Sequence, residues 1–342
     1  MRIGVPREIK DGEYRVALTP AAVTHLRNVV VEPGAGIGVG FSDAAYAAAG
    51  ATLGDPWECE LVVKVKELQE AEYRRPRRGQ IVCGFQQFTA DPELLEAALA
   101  SGATFIVYHT VGQASGRYPI LAPMSAIAGR LAVQVGAWCL QRQNGGSGVL
   151  LPGVDDVPPG KVVILGAGTV GANALAVAHG LGAAISVFAR SERRFAGLRE
   201  RFPRAKYAAG IDAEAVVDAD LVIGGVFLPG QRSPKLVSRG MIAAMRPGSV
   251  LVDVGIDQGG IAETSRPTTH SEPTFIAEGV VHYCVPNMPA ACPRTASLAL
   301  ERAVLPYVRM LENGEMDADL QSGIQVAAGK VVHAQLARHT GR

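Results

Sequence analysis

The sequence predicts an α/β protein with two domains, each built on a parallel β-sheet, and three observations support this. Its 342 residues are more than a single hydrophobic core usually holds. Strand-like apolar stretches alternate with helix-like stretches along most of the chain. The 40 glycines and a hydrophobic fraction of 48% suit a soluble fold with many tight turns between strands and helices.

In the first half of the chain, the predicted strands and helices follow one another in a regular order. The predicted strands are residues 2–8, 29–36, 61–67, 80–86 and 104–110. The predicted helices between them are residues 19–28, 43–50 and 91–102. Two of these helices carry Thr or Asp where an N-cap belongs. A longer helix is predicted from Met124 to Gln143, before a loop rich in Gly and Pro.

A second α/β unit begins with the apolar strand "KVVILGAG", which starts at Lys161. Further strands are predicted to end at Ala189 and to cover residues 220–227 and 248–257. From residue 294 the pattern is helical, and we expect this tail to pack back on the first unit. The first domain is therefore discontinuous, and the predicted domains are residues 1–126 with 298–342, and residues 127–297.

Charge and cysteine content exclude several classes of function. The net charge of +1 gives no electrostatic reason to expect a nucleic acid or an anionic membrane as partner. No apolar run approaches the roughly 20 residues of a membrane-spanning helix. The five cysteines show no CxxC spacing, so we expect reduced thiols, no metal site and a cytoplasmic location.

Directly after the strand at Lys161, Gly166, Gly168 and Gly171 form the pattern G-x-G-x-x-G of a Rossmann dinucleotide turn. The first glycine permits the sharp turn, the second a close approach to pyrophosphate, and the third tight packing of helix on strand. Residues 169 and 170 (Thr169, Val170) would begin a helix whose N–H groups face a phosphate. The alternative is a tight turn without a ligand, but the strand–turn–helix context favours nucleotide binding.

The end of the next strand indicates which dinucleotide binds. An Asp or Glu there usually accepts hydrogen bonds from the ribose 2′-OH, and its charge repels a 2′-phosphate. This chain has Ala189, followed by the polar and basic residues Arg190, Ser191, Arg193 and Arg194. Arginine forms charge-assisted hydrogen bonds to phosphate. The sequence therefore predicts NADP(H) in preference to NAD(H), the alternative being a solvated basic turn.

Several further stretches occur together in the order of one known family. They include "RIGVPREIKDGEYRVALTP", "LVVKVKE", "LAPMSAIAGRLAVQVGA", "VDVGIDQGG" and "YCVPNMP". On these stretches the chain resembles the alanine dehydrogenase family, which is related to domain I of proton-translocating transhydrogenase. The resemblance implies two Rossmann-like domains, a substrate (catalytic) domain and a dinucleotide-binding domain, with the active site in the cleft between them. It also implies a homo-oligomer, either a hexamer or a dimer.

The resemblance assigns roles to individual residues. Arg15 matches the arginine that binds the substrate carboxylate, and Lys66 matches the residue that bonds the keto or amino group at the reacting carbon. Asp257 matches a catalytic carboxylate that also lies at the cofactor. Residues expected near the nicotinamide or the substrate are Met124, Ser125, Asn287 and Met288.

Four positions depart from the family pattern. The family histidine that donates and accepts protons corresponds to Gln87, which cannot exchange a proton near neutral pH. A family glutamate has become Ala126, and another has become His109. His109 is either a packed histidine or a residue for substrate recognition or acid–base chemistry. The fourth departure, Pro286, replaces a family alanine.

These observations give three hypotheses for the function. The first is an NADP(H)-dependent oxidoreductase that acts on the Cα–N bond of an amino or imino acid other than alanine. The second is a reductase of preformed or cyclic imines, because a ready-made imine needs less proton transfer than a keto acid with ammonia. The third is a transhydrogenase-like nucleotide-binding subunit without catalysis. In each enzyme case the partner is a small amino, keto or imino acid.

Overall fold

The computed structural model describes residues 1–226 and 232–342, which separate into two compact units. Unit 1 contains residues 1–124 and 292–342, and unit 2 contains the described part of residues 125–291. The domain boundaries predicted from the sequence, at residues 126 and 298, lie slightly later in the chain than the observed ones at residues 124 and 292. Both units are α/β with mainly parallel sheets, and the first is discontinuous, which confirms the predicted fold class.

The regular elements are numbered here in chain order. The β-strands are β1 (Ile3–Val5), β2 (Val29–Val31), β3 (Thr52–Leu53), β4 (Leu61–Val63), β5 (Ile81–Gly84), β6 (Thr104–Val107), β7 (Lys161–Leu165), β8 (Ala184–Ala189), β9 (Lys206–Ala209), β10 (Leu221–Gly224), β11 (Val250–Asp253), β12 (Thr274–Ala277), β13 (Val280–Tyr283), β14 (Ile324–Ala327) and β15 (Lys330–Val331). The α-helices are α1 (Pro20–Val23), α2 (Asp43–Ala48), α3 (Pro92–Ser101), α4 (Leu121–Cys139), α5 (Thr169–Leu181), α6 (Leu198–Arg201), α7 (Ala213–Val217), α8 (Arg239–Ala244), α9 (Pro293–Glu312), α10 (Ala318–Gln321) and α11 (Ala334–Thr340). Short 3-10 helices cover Ile37–Val39, Pro56–Glu58, Glu70–Glu72, Arg142–Asn144, Glu192–Phe195, Val254–Gln258 and Met288–Ala291.

The sheet of unit 1 has the strand order β15–β14–β6–β5–β4–β1–β2–β3. The strands from β6 to β3 are parallel, and β14 and β15 extend the sheet in antiparallel pairing. The chain runs outward from β1 to β2 and β3 on one side, and from β4 to β5 and β6 on the other. The switch point between β1 and β4 is therefore where a ligand crevice is expected.

The sheet of unit 2 has the order β12–β13–β11–β10–β7–β8–β9, and only its edge strand β12 pairs antiparallel among the described strands. Its switch point lies between β7 and β10. Buried residues of successive strands, such as Val163, Val222 and Leu251, form its core with residues of the flanking helices. Among the described residues, no helix has both the length and the apolar character needed to span a bilayer.

The structure corrects three element predictions. The tail is not wholly helical, because β14 and β15 follow α10, and β14 pairs with β6 through Ile324 and Ile106. The long helix ends at Cys139 instead of Gln143, because Gln141 has an extended backbone (φ −66°, ψ 141°) and a separate 3-10 helix follows it. The strand predicted at residues 29–36 ends at Val31, where a turn begins. Strand β10 covers part of the segment predicted at residues 220–227, whose last residue, Phe227, lies outside the described residues.

Candidate functional site

Three residues predicted for the substrate site follow neighbouring parallel strands of unit 1. Lys66 follows β4, Gln87 follows β5 and His109 follows β6. The strand pairing continues beyond β4 and β5, since the Phe85 N–H donates to the Val65 carbonyl at 2.9 Å. Because the carboxyl ends of parallel strands meet at one edge of a sheet, these three residues share that edge.

Arg15 lies in the segment after β1 and is buried, with 2% of its surface exposed. Its Nε and Nη2 donate to the two carboxylate oxygens of Glu13 at 2.7 and 2.6 Å. Its Nη1 contacts the Met124 sulfur at 3.4 Å. The bidentate pair fixes the plane of the guanidinium. The structure therefore brings together two predicted site residues, Arg15 and Met124, and adds Glu13, which the sequence reasoning missed.

The Lys66 ammonium is also buried and paired with a carboxylate. Its Nζ lies 3.0 Å from a carboxylate oxygen of Glu67, which bonds Lys10 through its other oxygen. Burial alone would raise the pKa of Glu67, but Lys66 and Lys10 outweigh burial and hold that pKa below its usual value. Glu67 is therefore an anion shared between two ammonium groups.

A second buried ionic network supports the backbone of Lys66. The Lys64 ammonium lies 2.7 Å from Glu72 and 3.4 Å from Glu8. Glu8 also accepts hydrogen bonds from the backbone N–H of Val65 at 2.7 Å and of Lys66 at 3.4 Å. Burial raises the pKa of Glu8 to about 7, against the opposing effect of Lys64. The two lysines two residues apart in "VKVKE" are unusual in a buried strand, but they do not identify Glu8 or Glu72 as their partners.

The departures from the family pattern leave few proton donors at this edge. Gln87 is half-buried, and its side-chain amide does not titrate near neutral pH. The pKa of His109 falls to about 4, first because of burial and then because of the Lys66 ammonium and the neighbouring imidazole of His333. His109 is therefore neutral at pH 7 and carries no excess proton to donate. Ala126 lies half-buried in α4 and provides no carboxylate.

In unit 2 the glycine turn has the shape that a pyrophosphate requires. Gly166 has a φ of 110°, and a Cβ there would lie 2.6 Å from the Gly225 carbonyl oxygen. A Cβ on Gly171 would lie 1.8 Å from the Gly166 oxygen, whereas a Cβ on Gly168 would meet no atom within 4 Å. Helix α5 then starts at Thr169 with no side-chain cap and no acid in its first turn. Both the open backbone and the uncapped helix start fit an anionic ligand.

The strand after this turn ends without an acid, as the sequence indicates. Ala189 is the last residue of β8. The basic residues after it are exposed and make no ion pair with any residue that the structure describes: Arg190, Arg193 and Arg194. Glu192 lies among them but pairs with Arg199 at 2.6 Å. Three positive charges at the end of β8 therefore remain available to a phosphate.

Asp257 is exposed on the 3-10 helix that follows β11, and its loop is tightly held. The Asp253 carboxylate accepts hydrogen bonds from the Ile261 N–H at 2.7 Å and the Ser265 hydroxyl at 2.5 Å. The Lys235 ammonium donates to three backbone carbonyls of the same loop. The sequence reasoning missed Asp253 and Lys235, although an acid at the end of a buried strand was a visible signal.

The segment around Asn287 has an unusual backbone. Asn287 has a φ of 59°, in the left-handed region that few residues other than glycine adopt, and it precedes the buried Met288. Such residues are frequent at functional sites. Pro286 and Ser125, the latter in α4, are half-buried. Within residues 1–226 and 232–342, no group of three His, Cys, Asp or Glu side chains is placed to hold a metal ion.

Comparison with known proteins gives the family. The profile described as "Alanine dehydrogenase/PNT, N-terminal domain" matches residues 4–128, and the corresponding C-terminal profile matches residues 132–334. The chain belongs to the alanine dehydrogenase/PNT family. Membership confirms the prediction of an oxidoreductase of the amino-acid dehydrogenase type, which acts on CH–NH₂ donors.

Individual members of the alanine dehydrogenase/PNT family are similar over nearly the whole chain. The alanine dehydrogenase of Halomonas elongata is 48% identical over an alignment of 346 positions, gaps included, which covers 97% of this chain and 93% of that protein. A solved structure of L-alanine dehydrogenase is 46% identical, with a TM-score of 0.96 over 100% of this chain and 99% of the other. The transhydrogenase of Sinorhizobium meliloti is 26% identical, with a TM-score of 0.83 over 98% and 99%.

Two glycines of α5 give a matched test of the dinucleotide turn. Gly171→Ala should lower the free energy of unfolding by at least about 1–3 kcal/mol, the usual cost of overpacking, because its Cβ would strike the Gly166 carbonyl. Gly180→Ala lies in the same helix with no atom within 4 Å of the added Cβ, and should stabilise by about 0.5–1 kcal/mol. Urea unfolding measures both changes. Equal effects of the two substitutions would contradict the close approach at Gly171.

The raised pKa of Glu8 predicts a pH dependence of stability. Since the folded pKa of about 7 lies above the unfolded value of 4.5, the folded state holds the proton more tightly. The contribution of Glu8 to the free energy of unfolding should therefore fall as pH rises from about 4.5 to 7. Glu8→Gln should remove this slope, and exposed Glu200→Gln should not. The free energy of unfolding is measured with urea at several pH values. If it changes with pH equally in the native protein and in Glu8→Gln, the pKa of Glu8 is not raised by folding.

Proposed function

We propose that this chain is an amino-acid dehydrogenase that interconverts an amino acid with its keto acid or imine and prefers NADP(H) to NAD(H). One observation is the main support for amino-acid dehydrogenation. The buried Arg15 and Lys66 lie after β1 and β4, the two strands at the switch point of unit 1, in a chain 48% identical to an alanine dehydrogenase. A switch point is the usual ligand position in such sheets.

The side chains of unit 1 suit an α-keto or α-imino acid. Arg15, whose plane is fixed by Glu13, would bind the substrate carboxylate. Lys66 would donate to the oxygen or nitrogen on the reacting carbon and stabilise negative charge that develops there. Glu67 and Glu8 would hold the Lys66 ammonium and backbone in position. These roles make unit 1 the substrate domain.

The side chains of unit 2 suit a phosphorylated dinucleotide. Gly166, Gly168 and the start of α5 would hold the pyrophosphate, and Arg190 with its neighbours would meet the 2′-phosphate. When bound, the nicotinamide exchanges a hydride with the substrate. The loop of Asp257, which is held by hydrogen bonds to Asp253, would place the Asp257 carboxylate at the cofactor. Asn287 would add a polar side chain near the nicotinamide. These roles make unit 2 the dinucleotide-binding domain.

Two observations bear on the identity of the substrate, and they favour different candidates. The relatives named alanine dehydrogenase make L-alanine and pyruvate the leading substrate pair. Gln87 and the neutral His109 favour a preformed imine as the second candidate, because conversion of a keto acid and ammonia into an imine requires proton transfers. Both candidates share hydride transfer at the carbon bonded to nitrogen.

Arg190 tests the cofactor preference. Arg190→Ala should reduce the advantage of NADPH over NADH in binding by roughly 10- to 100-fold, the value of a charge-assisted contact. Arg204→Ala removes an exposed arginine farther along the chain and should leave the ratio unchanged. The dissociation constants follow from titration of nucleotide fluorescence. Tighter binding of NADH than NADPH by the native protein would contradict the preference.

Gln87 distinguishes the two substrate candidates. If the native protein is an imine reductase, Gln87→His should raise amination of pyruvate by about 10- to 100-fold, because imidazole can carry protons near neutral pH. Gln87→Asn keeps an amide and should give no gain. The rates are measured with pyruvate plus ammonia and with a preformed cyclic imine. Rapid alanine formation by the native protein would show an ordinary alanine dehydrogenase.

A further inference from the structure

Three basic side chains of unit 1 form a group that the proposed reaction does not fully use. We call Lys66, His109 and His333 the basic cluster. The Gln325 side chain of β14 donates to the Thr110 hydroxyl at 3.3 Å, and the His333 N–H donates to the Gln325 carbonyl at 3.4 Å, so His333 lies beside the segment that carries His109. Lys66 also acts electrostatically on His109. His109 follows β6, and His333 follows β15, which is joined to β6 through β14. The cluster therefore depends on the antiparallel extension of the sheet by the tail.

The position of His333 is fixed by hydrogen bonds on one side only. Its Nε2 bonds the side-chain oxygen of Gln113 at 3.1 Å, and the Gln113 amide donates to Gln335 at 3.1 Å. Its Nδ1 is buried and has no hydrogen-bond partner among the described residues. A buried nitrogen without a partner is costly and rare in native proteins. The hydrogen bond from Nε2 therefore fixes the orientation of the His333 ring, while Nδ1 has no hydrogen-bond partner among the described residues.

The charges around the cluster are positive in sum. Glu67 pairs with Lys66 but is shared with Lys10, so two ammonium groups face one carboxylate. Glu8 accepts from the Lys66 N–H, and its pKa of about 7 leaves it only partly charged at neutral pH. Burial and then the nearby cation Arg338 lower the pKa of His333, so this imidazole also favours its neutral form when no anion is bound. An anion at this position would offset the excess charge and would favour protonation of the neutral His109. Protonated imidazoles then form charge-assisted hydrogen bonds to it.

We propose that His109 and His333 form a second anion subsite beside Lys66, which binds the side-chain carboxylate of a dicarboxylic amino, keto or imino acid. The inference rests on the proposed function, in which Arg15 and Lys66 bind the α-carboxylate and the reacting carbon. A second carboxylate then reaches the two imidazoles, and Nδ1 of His333 gains a partner. The methyl group of alanine or pyruvate cannot supply such a charge.

Calorimetry tests the subsite without requiring turnover. The protein saturated with NADP⁺ is titrated with 2-oxoglutarate and with its side-chain dimethylamide, which is uncharged there and cannot cyclise onto the keto group, in two buffers of different ionisation enthalpy. The dicarboxylate should bind about 10- to 100-fold more tightly than the amide and take up protons from the buffer at pH 7. The amide should bind without proton uptake.

Three substitutions test whether the two imidazoles cause the preference for the dicarboxylate and the proton uptake. His109→Gln and His333→Gln should each reduce the proton uptake, and each should remove most of the preference for the dicarboxylate. The exposed His25→Gln should change neither. Equal binding of the two ligands without proton uptake, or unchanged behaviour of both His109→Gln and His333→Gln, would overturn the inference.

Turnover assays separate this inference from the proposed function. Rapid oxidation of alanine with no preference for glutamate over glutamine would overturn the subsite but leave the amino-acid dehydrogenase intact. Proton-linked binding of 2-oxoglutarate, together with no oxidation or reduction of any amino, keto or imino acid tested, would support the subsite and reject the dehydrogenase.

Discussion

In each unit the chain leaves two neighbouring parallel strands in opposite directions, from β1 and β4 in unit 1 and from β7 and β10 in unit 2. The loops at the carboxyl ends of such a pair must diverge, and the gap between them exposes backbone and side chains to a ligand. Arg15 and Lys66 follow the first pair, and the glycine turn follows β7 of the second. The positions of Arg15, Lys66 and the glycine turn depend on this topological constraint.

The second feature that determines the structure of unit 1 is the burial of charged side chains. Lys64, Lys66 and Arg15 are each almost fully buried, and each meets at least one carboxylate within 3.0 Å. An unpaired buried cation would cost several kcal/mol, so these partners are required for the fold as well as for the orientation of the reactive groups. In unit 2 the balance is reversed, since Arg190, Arg193 and Arg194 after β8 are exposed and pair with no acid that the structure describes.

The sequence predicted those features that depend on neighbouring residues. The G-x-G-x-x-G turn, the strand that ends at Ala189 and the basic residues after it are local patterns, and the structure shows the turn geometry that the pattern requires. The partners of buried groups were not predictable in this way. Glu8 contacts Lys64, and His333 lies beside the segment after β6, only because strands distant in sequence pair with each other. Strands β14 and β15 are too short to show a strand period.

The central claim is hydride transfer at the carbon bonded to nitrogen, and isotope transfer measures it directly. The protein is incubated with NADPH carrying deuterium at C4, prepared separately in each stereochemical form, and with pyruvate plus ammonia or a preformed cyclic imino acid. Mass spectrometry and NMR of the amino-acid product then locate the label. The account predicts one deuterium on the α-carbon from one of the two cofactor forms. Absence of deuterium from the product with both cofactor forms and all substrates would contradict it.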